Sequence, residues 1–282
     1  MLTVGSLFSG IGGLDLGLER SGMEVIWQSE IDPYGCRVLK KHWPEVVNHG
    51  NIKEIKWGDV VRPDIICGGY PCQPFSTAGK RNGANDSRHL WPWVREAISE
   101  LRPKYAILEN VRGHITLGLS TVLGELASIG YDAEWQIVSA NSVGAPHLRE
   151  RVIIIAYPVR ELANTNNSRC VYRQPQIFTA DRWLNALSLI GSGSTDVANT
   201  SKQHSHGKPD NARDSERPET IPQSGDSSRT SGRSNWQTEP DVGRVAHGVP
   251  SRVDRLRGLG NAVVPHVAEL IGRMVIDYDT NL

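Results

Sequence analysis

The chain has 282 residues, enough for one large domain with a substantial insertion or for about two domains, and its 38% hydrophobic against 22% charged content excludes whole-chain disorder. Thirty-one Lys and Arg balance thirty-one Asp and Glu, so the molecule is not a polycation that coats nucleic acid indiscriminately, and any nucleic-acid site must be a local basic surface. No run approaches the ~18 apolar residues of a membrane span, and Met1 to Gly10 lacks the basic start and apolar stretch of a signal peptide; the expectation is a cytoplasmic protein with reduced cysteines and no membrane partner.

From Leu2 to Pro158 short apolar runs alternate with stretches of helical periodicity. LTVGSLFS, VIWQSEI, PDIICGG, KYAILENV, AEWQIVSA and RVIIIAYP read as strands. Between them GGLDLGLERSG, DPYGCRVLKKHW, LWPWVREAISELRP and LGLSTVLGELASIG carry apolar spacings of three and four. This alternation predicts an α/β fold, a mostly parallel sheet with helices on both faces and ligands at the carboxyl ends of its strands. The last two strands follow each other without a helix, which fits an antiparallel edge pair.

Beyond Pro158 the composition changes. Between Gly191 and Pro240 only five residues are hydrophobic, too few to bury a core. The stretch Ile177 to Gly191 has enough apolar residues to pack as a helix or hairpin. Order returns near Val242, and VAELIGRMVIDY suits a helix that closes the domain. The expected organisation is a sheet domain over residues 1–157, a loop-rich insertion over 158–241, and a segment over 242–282 that rejoins the first domain.

Several residues carry chemical possibilities. In FSGIGG, Gly10, Gly12 and Gly13 let the backbone approach a ligand. Glu30, twenty residues after Gly10 and at the end of a strand, is placed to accept hydrogen bonds from ribose hydroxyls. Asp15 stands where a dinucleotide fingerprint has its third glycine, which favours an adenosine ligand without pyrophosphate. Cys72, flanked by Pro71 and by Gln73-Pro74, is presented rather than packed, whereas Cys36 and Cys67 lie in apolar-periodic segments and read as buried. The four cysteines show no zinc spacing, so no metal is expected. Glu109, emerging from the apolar strand YAILENV, is expected to have a raised pKa, as a general acid requires. Arg149 and Arg151, two apart at the start of a strand, point the same way and can hold a phosphate and a ring carbonyl.

Taken together, and in this order, FSGIGG, GYPCQPFS, ENV, RER and LGNAVVP resemble the motifs of the cytosine-5 DNA methyltransferase family. The likeness covers Leu2 to Pro158 and roughly Val242 to Met274. It implies a Rossmann-like methyltransferase sheet, S-adenosylmethionine as methyl donor with S-adenosylhomocysteine as product, and double-stranded DNA as partner. It further implies a small target-recognition insertion, a monomer in a bacterial or phage-infected cell, and a cognate restriction endonuclease as a partner to look for. By resemblance Cys72 is the nucleophile that adds to carbon 6 of a flipped-out cytosine, Glu109 acts at ring nitrogen 3, and Arg151 with Arg149 completes the catalytic set. The implied cofactor contacts are Phe8, Gly10, Ile11, Gly12, Gly13, Glu30, Ile31, Asn51, Ile52, Pro71 and Leu90, with Asn261 and Ala262 from the closing motif.

The chain departs from the family pattern at three places. Gly50-Asn51-Ile52 stands where the family usually has GlyAspIle, His147 replaces a customary Gln, and the element before LGNAVVP is poorly matched. Three other readings stay open at this point: a transfer-RNA cytosine methyltransferase on the same fold, a catalytically silent DNA-binding relic, and a nicotinamide oxidoreductase.

Overall fold

The fold comes from a computed structural model that describes residues 1–71, 90–159, 176–190 and 252–281. Six strands follow the apolar runs: β1 (Thr3–Leu7), β2 (Glu24–Ser29), β4 (Ile65–Gly69), β5 (Tyr105–Val111), β6 (Tyr131–Ser139) and β7 (Glu150–Pro158). A seventh, β3 (Val47–Asn48), is two residues long, too short to leave a periodic signal. The sheet order is β3-β2-β1-β4-β5-β7-β6. The chain reverses its direction of strand addition between β1 and β4, and the crevice beyond their carboxyl ends is where such sheets bind ligands.

Only β7 runs against the others. It pairs antiparallel with β5 on one side and β6 on the other, because a loop rather than a crossover helix joins β6 to β7. This reversal has a chemical consequence. The start of β7 lies at the same edge as the end of β5, and Arg151 stands opposite Val111 in the register.

Side chains alternate across the sheet and build two cores. Tyr105 and Ile107 of β5 join Ile153 and Ile155 of β7 on one face, while Ala106, Leu108, Val152 and Ile154 face the other. The first face is covered by α1 (Gly13–Arg20), α6 (Ala180–Ile190) and α8 (Pro265–Thr280); the second by α3 (Trp91–Leu101) and α5 (Leu119–Ser128). Three helices complete the described fold: α2 (Pro33–His42), α4 (His114–Leu117) and α7 (Arg252–Asn261). Asp32 starts α2 in the way its sequence suggests, accepting hydrogen bonds from the Tyr34 and Gly35 amides with Pro33 at the first turn.

The apolar stretch at 177–190 is a helix preceded by a turn, and the Glu134 carboxylate accepts the Ile177 and Phe178 amides at that turn. Ile177, Ala186, Leu187 and Ile190 are buried in the core beside α8, and Arg182 pairs with Asp277 at 2.8 Å. Residues 176–190 therefore pack as part of the sheet domain, although they fall within the sequence expected to form the insertion. Contrary to the sequence expectation, one 18-residue window within Val253–Thr280, with a mean hydropathy of 1.2, is apolar and long enough on composition alone to cross a membrane. Half of that window is buried inside the fold. The chain also leaves helical geometry before α8, with Val264 extended at φ −67° and ψ 120°. The stretch is two helices, the second a core helix.

α8 reaches the sheet domain by lying directly on α1. A Cβ on Gly17 would sit 2.3 Å from the Pro265 carbonyl oxygen and 2.4 Å from the Ala268 Cβ, so these two helices meet without room for a methyl group. Gly17→Ala is expected to lower stability by roughly 1–3 kcal/mol through overpacking, against an intrinsic helix gain of about 1 kcal/mol. Urea denaturation measures the balance, and an unchanged or higher midpoint would contradict the close approach.

Candidate active site

The loop after β1 begins with Phe8 at φ 52° and Gly10 at φ 58°. Left-handed geometry at a bulky residue such as Phe8 is uncommon and costs energy that the surrounding turn must offset. Gly10 faces open space, its nearest neighbour being the Phe8 oxygen at 3.9 Å from where a Cβ would lie. Gly12 and Gly13 behave differently. Their missing side chains make room for Trp43 and for the Val263 carbonyl, while Gly10 alone of the three has no neighbour closer than 3.9 Å at that position. The two others let the turn sit tightly on α2 and on the closing segment.

Glu30 follows β2 and is half-buried against this turn. Its Oε2 accepts the Gly10 amide at 2.7 Å, while Oε1 accepts the Ile31 and Asp32 amides at 2.8 and 2.6 Å. Burial raises its pKa, opposed by those amides and by Arg257. Three donors leave part of a carboxylate's roughly four lone-pair sites for an outside hydroxyl. Ile31, immediately beside it, is 66% exposed, an apolar side chain open for stacking. Asn51 Oδ1 accepts the Lys53 amide at 3.2 Å and its Nδ2 donates to Glu54 at 2.7 Å. Ile52 is buried, its side chain in the core beneath α3. Pro71 is exposed after β4, and Leu90 is half-buried where α3 begins.

Asp15 is fully buried beneath the turn, where it accepts Ser6 Oγ at 3.0 Å and Gln28 Nε2 at 2.7 Å. Burial pushes its pKa up to about 6 despite these bonds. The residue that breaks the dinucleotide fingerprint is thus a cross-strand tie between β1, β2 and α1.

Glu109 ends β5 with 7% exposure. Its Oε1 lies 2.6 Å from Arg151 Nε. Burial raises the carboxyl pKa and outweighs the pull of Arg151 and Arg149, in the direction expected from the sequence. Gly69 at the end of β4 abuts the same group: a Cβ there would stand 2.7 Å from Glu109 Oε2. The two arginines are brought to one edge but have separate partners. Arg149 Nη2 donates to the Gly260 and Ala262 carbonyls at 2.6 and 2.8 Å, so it fastens the closing motif to the start of β7. Burial lowers the Arg149 pKa, with the neighbouring Arg151 charge adding to the effect.

That link between Arg149 and the closing motif was not legible in the sequence. Nor was the ion pair between Arg257 of α7 and Asp32, which holds α7 over the turn where Gly258 passes Ile11 and Tyr34. Asn261 and Ala262 end this strap, Asn261 exposed and Ala262 partly so. Of the cysteines, Cys67 is fully buried as expected and its thiol is pushed far up by burial. Cys36 is only half-buried and donates to the Glu30 carbonyl at 3.2 Å, so the expectation of a buried apolar cysteine fails there. Cys72 lies outside the described residues, as do Cys170 and residues 191–240.

The curated Type II methyltransferase M.BsuFI of Bacillus subtilis is 35% identical over 161 residues, covering 55% of this chain and 39% of that protein. M.NgoBV of Neisseria gonorrhoeae is 36% identical over 166 residues, covering 52% and 39%. The matched region thus spans about two fifths of these relatives' length. Among solved structures, Spodoptera frugiperda DNMT2 aligns at a TM-score of 0.50 and 23% identity over 62% of this chain and 56% of that one, a likeness of fold. The profile of the family described as C-5 cytosine-specific DNA methylase matches residues 2–243, and with its sheet, its turn and its Glu109–Arg151 edge the chain belongs to that family.

Proposed function

We propose that the protein is a DNA (cytosine-5)-methyltransferase that moves a methyl group from S-adenosylmethionine to carbon 5 of a cytosine flipped out of a specific duplex site. The observation that carries this reading is the buried Glu109 carboxyl held against Arg151 and abutting Gly69, the residue three before Cys72 along the chain.

In this reading the Cys72 thiolate bonds to carbon 6 of the pyrimidine. Glu109 gives a proton or a hydrogen bond to ring nitrogen 3, so the electron pair displaced by sulfur is accommodated and then becomes available at carbon 5. Arg151 orients Glu109 and offers donors to the ring carbonyl. When bound, S-adenosylmethionine supplies an electrophilic methyl group. Once carbon 5 carries the methyl, loss of its proton restores the ring double bond and expels the Cys72 sulfur.

The turn fits the donor in three respects: Gly10 faces open space, Glu30 retains acceptor capacity for ribose hydroxyls, and Ile31 is an exposed apolar contact. Asn51 can accept a hydrogen bond from the base amino group but brings no charge. Arg149 holds Asn261 and Ala262 near that turn through their segment's carbonyls. Extruding the target base costs a few kcal/mol, and the sequence of the proposed insertion, 158–241, apart from the sheet-packed residues 176–190, would read the duplex with its Arg, Lys, Asn and Gln. The likeness to Type II methyltransferases supports a role in restriction-modification; a cognate endonuclease and a cytoplasmic location belong to the same reading. The molecule would act as a monomer without a metal.

Bisulfite sequencing of DNA from cells expressing the full chain tests the reading. The expected result is cytosines resistant to deamination in one recurring sequence context, together with labelled-methyl transfer to duplex DNA in vitro. Transfer to transfer RNA alone, or to neither polymer, would overturn it.

A further inference from the structure

The first residues of the nucleophile motif, Gly69 at the end of β4 and Tyr70 just after it, are gripped by the segment that carries Glu109. Tyr70 is 4% exposed and His114, the first residue of α4, is 2% exposed. The Tyr70 hydroxyl and His114 Nε2 lie 2.7 Å apart. The His114 ring meets the Tyr70 ring edge-on at 5.5 Å and 82°, and Trp91 packs on Tyr70 at 5.2 Å. Trp91 is itself fixed by its indole N–H donating to Glu125 at 2.8 Å. Asn110 Nδ2 donates to the Tyr70 carbonyl at 3.1 Å. Burial pushes the His114 pKa down to about 4, so the ring is neutral near pH 7 and its tautomer sets whether phenol or imidazole donates across the contact.

Glu109, Asn110 and His114 belong to one stretch of chain, and Gly69 and Tyr70 to another. Contacts at Gly69, at the Tyr70 carbonyl and at the Tyr70 hydroxyl tie the two stretches together over about two residues of β4's exit. The chain then leaves through Pro71 toward Cys72. A side-chain clamp at the hydroxyl restrains rotation of Tyr70, and hence the direction of that exit, in a way the Asn110 contact alone does not.

Resting on the function proposed above, we infer that His114 is a positioning residue: through the Tyr70 hydroxyl it sets where the chain toward Cys72 departs relative to the Glu109 carboxyl. Misplacement of a reacting group by about 1 Å can cost ~10²-fold in rate.

The experiment measures the rate of covalent adduct formation by the full chain with S-adenosylmethionine and a PCR duplex in which 5-fluorodeoxycytidine replaces deoxycytidine. After methylation, carbon 5 carries fluorine in place of the proton that must leave, so the sulfur stays attached. Tyr70→Phe and His114→Leu are each expected to slow adduct formation roughly 10- to 100-fold, while the Kd for S-adenosylhomocysteine, by calorimetry, stays within about twofold. The double variant is expected to be about as slow as either single, because both remove the same contact. If His114→Leu does not fold, His114→Gln, which can still donate to the phenol, is expected to hold near wild-type rate and His114→Asn, shorter by one carbon, to be slow. Single variants at wild-type rate, equal losses in adduct rate and cofactor affinity, or a slow His114→Gln beside a fast His114→Asn would overturn the inference. A wild-type chain that forms no adduct would instead remove the functional reading beneath it.

Discussion

Cys72→Ser is expected to abolish the covalent adduct with 5-fluorocytosine DNA and to lower methyl transfer by roughly 10⁴-fold or more, the scale on which loss of a nucleophile is felt. A serine hydroxyl has almost no anion at neutral pH, whereas a cysteine with its ordinary pKa of about 8.5 already has a few per cent thiolate. Two other cysteines can be set aside on physical grounds. The Cys67 thiol is buried completely, and both desolvation and the nearby Asp15 oppose its ionisation. The Cys36 thiol donates a hydrogen bond to the carbonyl of Glu30, which follows β2, and β1 and β4 lie between β2 and the strand of Glu109. Cys170→Ser therefore serves as the control and is expected to keep the adduct. An adduct that persists in Cys72→Ser and vanishes in Cys170→Ser would transfer the nucleophile to the wrong part of the chain and end the assignment. Peptide mapping of the trapped complex gives the same answer independently.

The sheet was legible because its strands have strong apolar runs and its helices strong three-four spacing; β5 and β7 fall within a residue or so of their sequence-based bounds. The antiparallel placement of β7 was readable too, from the missing crossover helix. What could not be read is how distant pieces meet. Gly13 looks like a ligand-facing glycine in any local view, but its neighbour is Val263, 250 positions later. Ile52 sits in a motif that suggests ligand contact, yet its apolar side chain enters the nearest core. Arg149 and Arg151 have the same chemistry and lie two apart, but one meets Glu109 and the other the Gly260 and Ala262 carbonyls, a division made by where the closing segment lands. A local signal did exist for Asp32, since an Asp-Pro pair ahead of an apolar-periodic run is a helix start. Its second partner, Arg257, comes from the far end of the chain.

Glu109→Gln is expected to slow methylation by about 10²- to 10⁴-fold while leaving the Kd for S-adenosylhomocysteine within a few-fold, because the proposed donor contacts lie at Gly10, Glu30 and Ile31 rather than at β5. Burial raises the Glu109 pKa against the opposing charges of Arg151 and Arg149. The sign of the pH effect follows: the protonated acid persists above the usual carboxylate range, and its share falls as pH rises through the raised value. The thiolate of Cys72 grows in the opposite direction. Wild-type kcat/KM is therefore expected to rise and then fall with pH, the falling limb belonging to Glu109. Glutamine keeps the size and one hydrogen-bond donor but has no proton to release, so the variant is expected to lose the falling limb and retain the rising one. Its amide also leaves Arg151, at 17% side-chain exposure, without its counter-charge, and a fall in thermal stability would accompany the kinetic loss. The two effects separate in the pH profile, since a purely structural role lowers the rate at every pH alike. A Glu109→Gln enzyme with the wild-type profile merely scaled down would show that the carboxyl braces Arg151 and does not handle the proton.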